Sequence, residues 1–350
     1  MKLASLKNGT RDGALCVVSR NLKLATIAYD VAPTLQAALD DWDYCAPLLG
    51  TLYEEANRQP QGSRWFELDP TQLAAPLPRA FQWIGASAYP SHMERLRKAR
   101  GMAMPENSRK EPWLLQGRSD NLIGARDDIT IESADLGLDL EAEIAIVTGD
   151  VPQGVKREKA SEHIRLFMLA NDWTARELVS TELTRGAGLF HSKLAVGFSP
   201  VAITPDELGS AWDGRRVQLA LEAHLNDTVL GTPHAGTDMQ FDFSTLIAAA
   251  ARQHPLSAGT IIGSGAVSNS EASIGVCSIA EKRALEQFGK SPNLTPFLAF
   301  GDRVAIDMRN ASDDSLFGRI EQCVVQTQAR RKPAGETGDT EPSEAADAAN

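Results

Sequence analysis

Between Asp135 and Val147 apolar and acidic residues alternate. Leu136, Leu138, Leu140, Ala142, Ile144 and Ile146 hold the even positions, and Asp135, Asp139, Glu141 and Glu143 hold odd ones. A strand turns successive side chains to opposite faces, so the pattern predicts one strand with a buried apolar face and an acidic one. Acids two positions apart on such a face lie about 7 Å from each other. Like charges at that spacing repel unless something positive sits between them. A hard divalent cation (Mg²⁺, Mn²⁺ or Ca²⁺) takes carboxylate oxygens readily, whereas zinc favours His or Cys. The plain alternative is a solvated strand face balanced by bases on the next strand. A third carboxylate is available from Asp172 in Asn171-Asp172-Trp173-Thr174-Ala175-Arg176, and Lys193 ends the mostly apolar run from Gly188.

The elements around these residues are mostly strands. Leu15–Val18 and Leu22–Ala28 read as strands near the N-terminus, and helical spacing runs from Thr34 to about Asn57. Pro, Gln and Gly enrich residues 57–80, which places a boundary there. Further strands are expected at Ile129–Ile131, Leu136–Val147, Gln218–Leu225, Gly259–Gly263 and Arg303–Met308, and helices at Ala160–Ala170 and Phe243–His254. Strands and helices do not alternate regularly, which disfavours a doubly wound sheet. After Arg331 no large apolar residue occurs, so residues 329–350 are expected to form a disordered acidic tail.

Taken together, these motifs resemble the fumarylacetoacetate hydrolase family. The resemblance rests on LDLEAEIAIV (138–147), NDWTAR (171–176), FHSK (190–193), GTIIGSG (259–265) and FGDRVAIDM (300–308), preceded by GASAYPSH (85–92) and Arg100-Gly101. It spans about residues 80–328 and implies an α+β fold. A small N-terminal α/β domain (1–78) would precede a strand-rich catalytic domain (79–328) with the mixed β-sandwich roll of the family. It also implies that Glu141, Glu143 and Asp172 hold the cation, with Mg²⁺ first and Ca²⁺ or Mn²⁺ as alternatives. Some members add an earlier Asp, but none occurs between Phe81 and His92, so three protein ligands are expected.

By the same resemblance His92 is the general base, oriented by a carboxylate from Glu94 or Glu281, with Glu94 slightly preferred. Lys193 stabilises an oxyanion or protonates a carbanion, and Arg176 clamps a substrate carboxylate. Tyr89, Arg100 and Thr260 sit where relatives contact substrate. Three departures bear on the substrate: Val179 where relatives often carry Gln, Leu115 where they often carry Tyr, and His191 where they carry a small residue. The activity implied is hydrolysis of a carbon–carbon bond in a β-diketo acid, foremost fumarylacetoacetate to fumarate and acetoacetate, as in tyrosine catabolism. A 2-oxo acid hydratase, decarboxylase or acylpyruvate hydrolase would share the site, and a non-catalytic metal-binding paralogue is the reading from another class.

Composition narrows the rest. The 350 residues are 43% hydrophobic and 23% charged, which excludes a mostly disordered chain, a collagen and a coiled coil. The net charge is −11, which argues against nucleic acid or an anionic membrane as partner. Five acids without a base fall after Lys332, so the folded part carries only about −6. No apolar stretch suits a signal peptide or a membrane span, so a cytoplasmic protein is expected. Cys16, Cys45, Cys277 and Cys323 are widely spaced and read as reduced. His163, His224, His234 and His254 show no ligand spacing, and no GxGxxG or P-loop motif supports nucleotide binding. The resemblance implies a homodimer acting on a small diketo acid.

Overall fold

The structure, a computed structural model, describes residues 1–58, 62–186 and 188–327. The acidic tail expected at 329–350 lies outside the described residues. The N-terminal segment holds β1 (Lys2–Leu6), β2 (Ala14–Val18), β3 (Leu24–Ile27), α1 (Leu35–Asp40), α2 (Trp42–Ala56) and β4 (Phe66–Glu67). Then come β5 (Trp83–Ala86), α3 (Pro90–Ala99), β6 (Leu114–Gly117), β7 (Leu122–Ile123), β8 (Ile129–Ile131), β9 (Leu138–Asp139) and β10 (Ala142–Thr148). The middle contributes α4 (Arg157–Ala160), β11 (Ile164–Ala175), α5 (Arg176–Arg185), β12 (Lys193–Phe198) and β13 (Ala202–Ile203). The chain continues through β14 (Glu222–Leu225), β15 (Thr228–Gly231), α6 (Phe243–Ala250), β16 (Ile261–Gly263), α7 (Ile279–Phe288), β17 (Arg303–Asp307) and β18 (Ile320–Gln326).

The strands form two sheets in a mixed α+β architecture. A 13-stranded sheet runs β4-β3-β2-β1-β13-β11-β10-β16-β5-β6, with β12 and β9 also paired to β11 and β7 paired to β12. A second sheet of five strands runs β15-β14-β17-β18-β8. Most neighbours are antiparallel, while β16–β5, β12–β7 and β18–β8 are parallel. The N-terminal strands join the large sheet through β1, whose Lys2 and Leu3 pair with Ile203 and Ala202 of β13. Helices α1 and α2 cover that part of the sheet, burying Leu35, Leu39, Leu49 and Tyr53 against Leu3, Leu15 and Val17.

Two expected elements differ in the structure. The stretch expected as a helix at Ala160–Ala170 is helical only to His163, ending in a 3-10 turn at Ser161–His163, and residues 164–175 form the longest strand. Leu166-Phe167-Met168-Leu169-Ala170 is a continuous apolar run, buried on both faces at the centre of the large sheet. Periodicity cannot tell such a run from a buried helix. The acidic strand breaks at Leu140–Glu141 between β9 and β10, and all seven residues of β10 are buried. Its acidic face is therefore covered as well as its apolar one. Cys16, Cys45 and Cys277 are buried free thiols, and Cys323 is free and partly exposed.

The two sheets meet beneath the acidic strand through Gln322 of β18, which is buried. Its Oε1 accepts from Asn171 Nδ2 (3.2 Å) and Trp173 Nε1 (3.1 Å), and its Nε2 donates to the carbonyls of Gly124 and Asp127. Asn171 in turn accepts the amide of Glu141 at 3.2 Å. Gln322→Leu keeps the volume but strands two buried donors, so it should destabilise the fold by about 2–4 kcal/mol. Chemical denaturation of the variant beside wild type measures this.

Candidate active site

Glu141, Glu143 and Asp172 bring carboxylate oxygens within 4.8 Å of one another, and all three residues are buried. Register explains the meeting: β10 and β11 are antiparallel neighbours, with Ala142 opposite Asn171 and Glu143 opposite Ala170. The Asp172 amide also donates to the Glu141 carbonyl at 3.0 Å, which fixes the two acids beside each other. Glu143 accepts the amide of Gly265 at 2.9 Å. Gly263 stands beside it because a Cβ there would lie 2.5 Å from Glu143 Oε2.

Two cations balance these acids. Lys193 Nζ donates to Glu141 Oε2 (2.7 Å), Asp172 Oδ2 (2.6 Å) and Thr174 Oγ1 (2.8 Å). Arg176 spans Glu141 Oε1 (2.5 Å) and Asp139 Oδ2 (2.8 Å). Asp139 is fully buried and also accepts the Ile279 and Ala280 amides at the start of α7. A carboxylate there satisfies free helix N–H groups and complements the helix dipole.

His92 lies in the first turn of α3 and faces the acids, its Nε2 being 4.0 Å from Glu141 Oε1. Its Nδ1 is 2.8 Å from Glu281 Oε2. An ionised carboxylate only accepts, so Nδ1 carries a proton, and in the neutral imidazole Nε2 then presents its lone pair to the cleft. Glu281 is itself fixed by Arg95 Nη1 (2.6 Å) and Ser268 Oγ (2.6 Å). Sequence reasoning missed Arg95 and Ser268; the only local sign was a basic residue three positions after His92, on the same helix face.

Other expected residues fall in and out of the cleft. Glu94 does not orient His92: it pairs with Arg109 near the surface. Residues two apart on a helix point to different sides, so Glu94 cannot follow His92 into the site. Thr260 also lies away from it. It is buried, donates to the Ser257 carbonyl, and its own carbonyl accepts the Thr148 amide at the far end of β10. Thr148 lies five strand positions from Glu143, roughly 16 Å. Arg176 lines the cleft, but Asp139 and Glu141 already engage its guanidinium, so it is a pin for the acidic strand rather than a free carboxylate clamp. Tyr89 lines the cleft with its hydroxyl donating to the Ala235 carbonyl at 2.7 Å. Arg100 lies at the cleft rim, and among the described residues no carboxylate comes within ion-pair distance of it. Trp113, Leu115, Val179, Leu183 and Leu189 give one wall an apolar surface.

The family model "Fumarylacetoacetate (FAA) hydrolase C-terminal" matches residues 83–325. The chain belongs to the fumarylacetoacetate hydrolase family. A second family model, "Fumarylacetoacetase N-terminal domain 2", matches residues 1–79. Oxaloacetate tautomerase YisK of Bacillus subtilis (strain 168) is 26% identical over 207 residues, covering 58% of this chain and 64% of that protein. The fold is also that of the fumarylacetoacetate hydrolase of the psychrophile Exiguobacterium antarcticum, with TM-score 0.62, 19% identity, and coverage of 93% of this chain and all of that one. Maleylpyruvate hydrolase of Sphingobium sp. SYK-6, solved with manganese(II) and pyruvate, gives TM-score 0.61 and 17% identity over 94% of this chain and all of that one.

Within this family member the donor set fits a divalent cation. It is all oxygen, and Asp172 Oδ1 is a buried acceptor that has no hydrogen-bond partner. Charge crowding points the same way. Burial raises the Glu143 carboxyl well above its ordinary range, and Asp172 and Glu141 raise it further. Burial also raises Asp172, despite Lys193. Burial would raise Glu141 too, but Lys193, Arg176 and His92 together hold it low. Lys193 would be lowered by burial, yet Asp172 and Glu141 keep it firmly protonated. The acids around it outweigh its desolvation.

A raised carboxyl contributes stability fully below its ordinary value of 4.5 and loses that contribution as pH rises through the raised one. Cation-free Glu143→Gln should therefore melt at or above wild type at pH 7, with a flatter dependence between pH 4.5 and 8. Millimolar Mn²⁺ should raise the wild-type melting temperature by mass action and leave the variant nearly unmoved. Calorimetry with and without Mn²⁺ checks both.

Proposed function

We propose that the protein is a divalent-cation-dependent hydrolase of a small β-diketo acid, adding water across a carbon–carbon bond. The observation that carries this reading is the His92–Glu281 pair facing the three acids, with His92 nearest one carboxylate oxygen of Glu141 and Lys193 on the other. His92 Nε2 accepts a proton from water, and Glu281 orients the ring and offsets the charge it gains. The hydroxyl joins the carbonyl carbon; the proton reaches the carbon released as the bond breaks. Lys193 supplies positive charge beside the developing oxyanion. Glu141, Glu143 and Asp172 would hold the cation, Mg²⁺ first, with Mn²⁺ or Ca²⁺ also suited to three carboxylates. When bound, it supplies Lewis-acid polarisation of a substrate oxygen.

Substrate recognition follows from the rim. Arg100 is free to take a carboxylate, a role that Arg176 cannot serve while Asp139 and Glu141 hold it. The apolar wall from Trp113 to Leu189 suits the acyl end. Fumarylacetoacetate and acylpyruvates both meet this description. A second reading, keto–enol tautomerisation of a 2-oxo acid, is favoured by the match to an oxaloacetate tautomerase. It needs the same base but no water.

Incubation with fumarylacetoacetate, acetylpyruvate and longer acylpyruvates should deplete the diketone absorbance in a cation-dependent way. Turnover of enolic oxaloacetate alone would overturn hydrolysis in favour of tautomerisation. His92→Ala should keep Mn²⁺ affinity yet lose about 10²-fold or more in kcat. Glu281→Gln should lose roughly 10–100-fold, whereas Glu94→Gln should stay within a few-fold of wild type. Steady-state kinetics with Mn²⁺ titration measures all three.

A further inference from the structure

Glu182 on α5 is buried, and among the described residues no basic side chain comes within ion-pair distance of it. An ionised carboxylate in that position must be compensated by hydrogen bonds. Four donors from three consecutive residues converge on it. Its Oε2 accepts from the Phe190 amide (3.1 Å), the Ser192 amide (3.0 Å) and Ser192 Oγ (2.6 Å), and its Oε1 accepts from the His191 amide (2.6 Å). Burial alone would raise this carboxyl, but these hydrogen bonds hold it down at about 2. The next residue in the chain is Lys193.

The segment is held on its other side as well. The Ser192 carbonyl accepts the Ala175 amide at 2.7 Å, and Lys193 pairs with Thr174 in the register of β12 with β11. The backbone from Phe190 to Lys193 is thus fixed between the end of β11 and the second turn of α5. The first residue of α5 is Arg176, the pin on Glu141 and Asp139. One helix therefore places both cations that flank Glu141: Arg176 directly, and Lys193 through the carboxylate of Glu182.

We propose that Glu182 is a positioning residue for Lys193, clamping residues 190–192 so that the ammonium meets Glu141, Asp172 and Thr174. It touches neither the acids nor the cleft chemistry, and so acts only through the backbone it holds. The kinetic part of this inference rests on the hydrolase reading; the placement of Lys193 does not.

Glu182→Gln replaces one acceptor oxygen with an NH₂ facing amide donors. It should lower kcat by roughly 10–100-fold with little change in KM, and leave Mn²⁺ affinity unchanged. In a Lys193→Met background the same substitution should add almost nothing, because two residues acting through one contact are not additive. Ser192→Ala removes one of four donors and should shift kcat the same way by a smaller factor, which covers the case of a Glu182 variant that folds poorly. An equal loss from Glu182→Gln with or without Lys193, or kcat at the wild-type level, overturns the proposal. Should wild type turn over no diketo acid, the hydrolase reading fails and the clamp is read by acetylation footprinting. Lys193 should then be labelled several-fold faster in Glu182→Gln than in wild type, with other lysines unchanged; equal labelling overturns it.

Discussion

Three carboxylates buried within 4.8 Å of one another set the terms for everything around them. Burial and mutual repulsion both favour protonation, so the sheet must supply positive charge and donated hydrogen bonds at fixed points. Lys193 arrives from β12, Arg176 from the start of α5 and the Gly265 amide from beyond β16. The central strands of the large sheet are therefore as much an electrostatic frame as a hydrophobic one. A bound divalent cation would complete the balance these groups leave, since Glu143 and Asp172 are still pushed toward their neutral forms.

The acid–base side of the site is built on the same frame through α7. Asp139, beside Arg176 on the acidic strand, caps the start of this helix. Ser278 closes its first turn by accepting the Glu281 amide, and Glu281 reaches from that turn to His92 on α3. The position of the imidazole is thus referred back to the acidic strand by a short chain of hydrogen bonds. Displacing Asp139 would disturb both halves of the site, although it is fully buried.

The clustering of acids was legible because strand alternation is local: Glu141 and Glu143 declare their shared face within a few residues. The choice between the two carboxylates expected for His92 was not, because Glu281 lies 189 residues away while Glu94 is nearby. Only the opposed directions of helix positions two apart argued against Glu94, and that argument needs the helix to be known first. The long strand from Ile164 to Ala175 was misread because a run buried on both faces has no polar side to reveal its period. Arg176 was read as a free clamp because its two acidic partners come from a strand 35 and 37 residues upstream. Family resemblance carried the α+β class; the sharing of one sheet by β1 and β13 had no signal in the pattern.

That shared sheet has its own consequence. Residues 1–79 match a family model separate from the one that matches residues 83–325, yet backbone hydrogen bonds run unbroken from β4 through β1 into β13 and β11. The N-terminal segment is attached as extra strands on an existing edge, not as a bead on a string. An added strand covers backbone groups that would otherwise template unwanted pairing. It also shares β11 as a neighbour once removed, and β11 carries Asp172. The two family modules thus share one hydrogen-bonded sheet, and the N-terminal segment ends two strands away from one of the three acids.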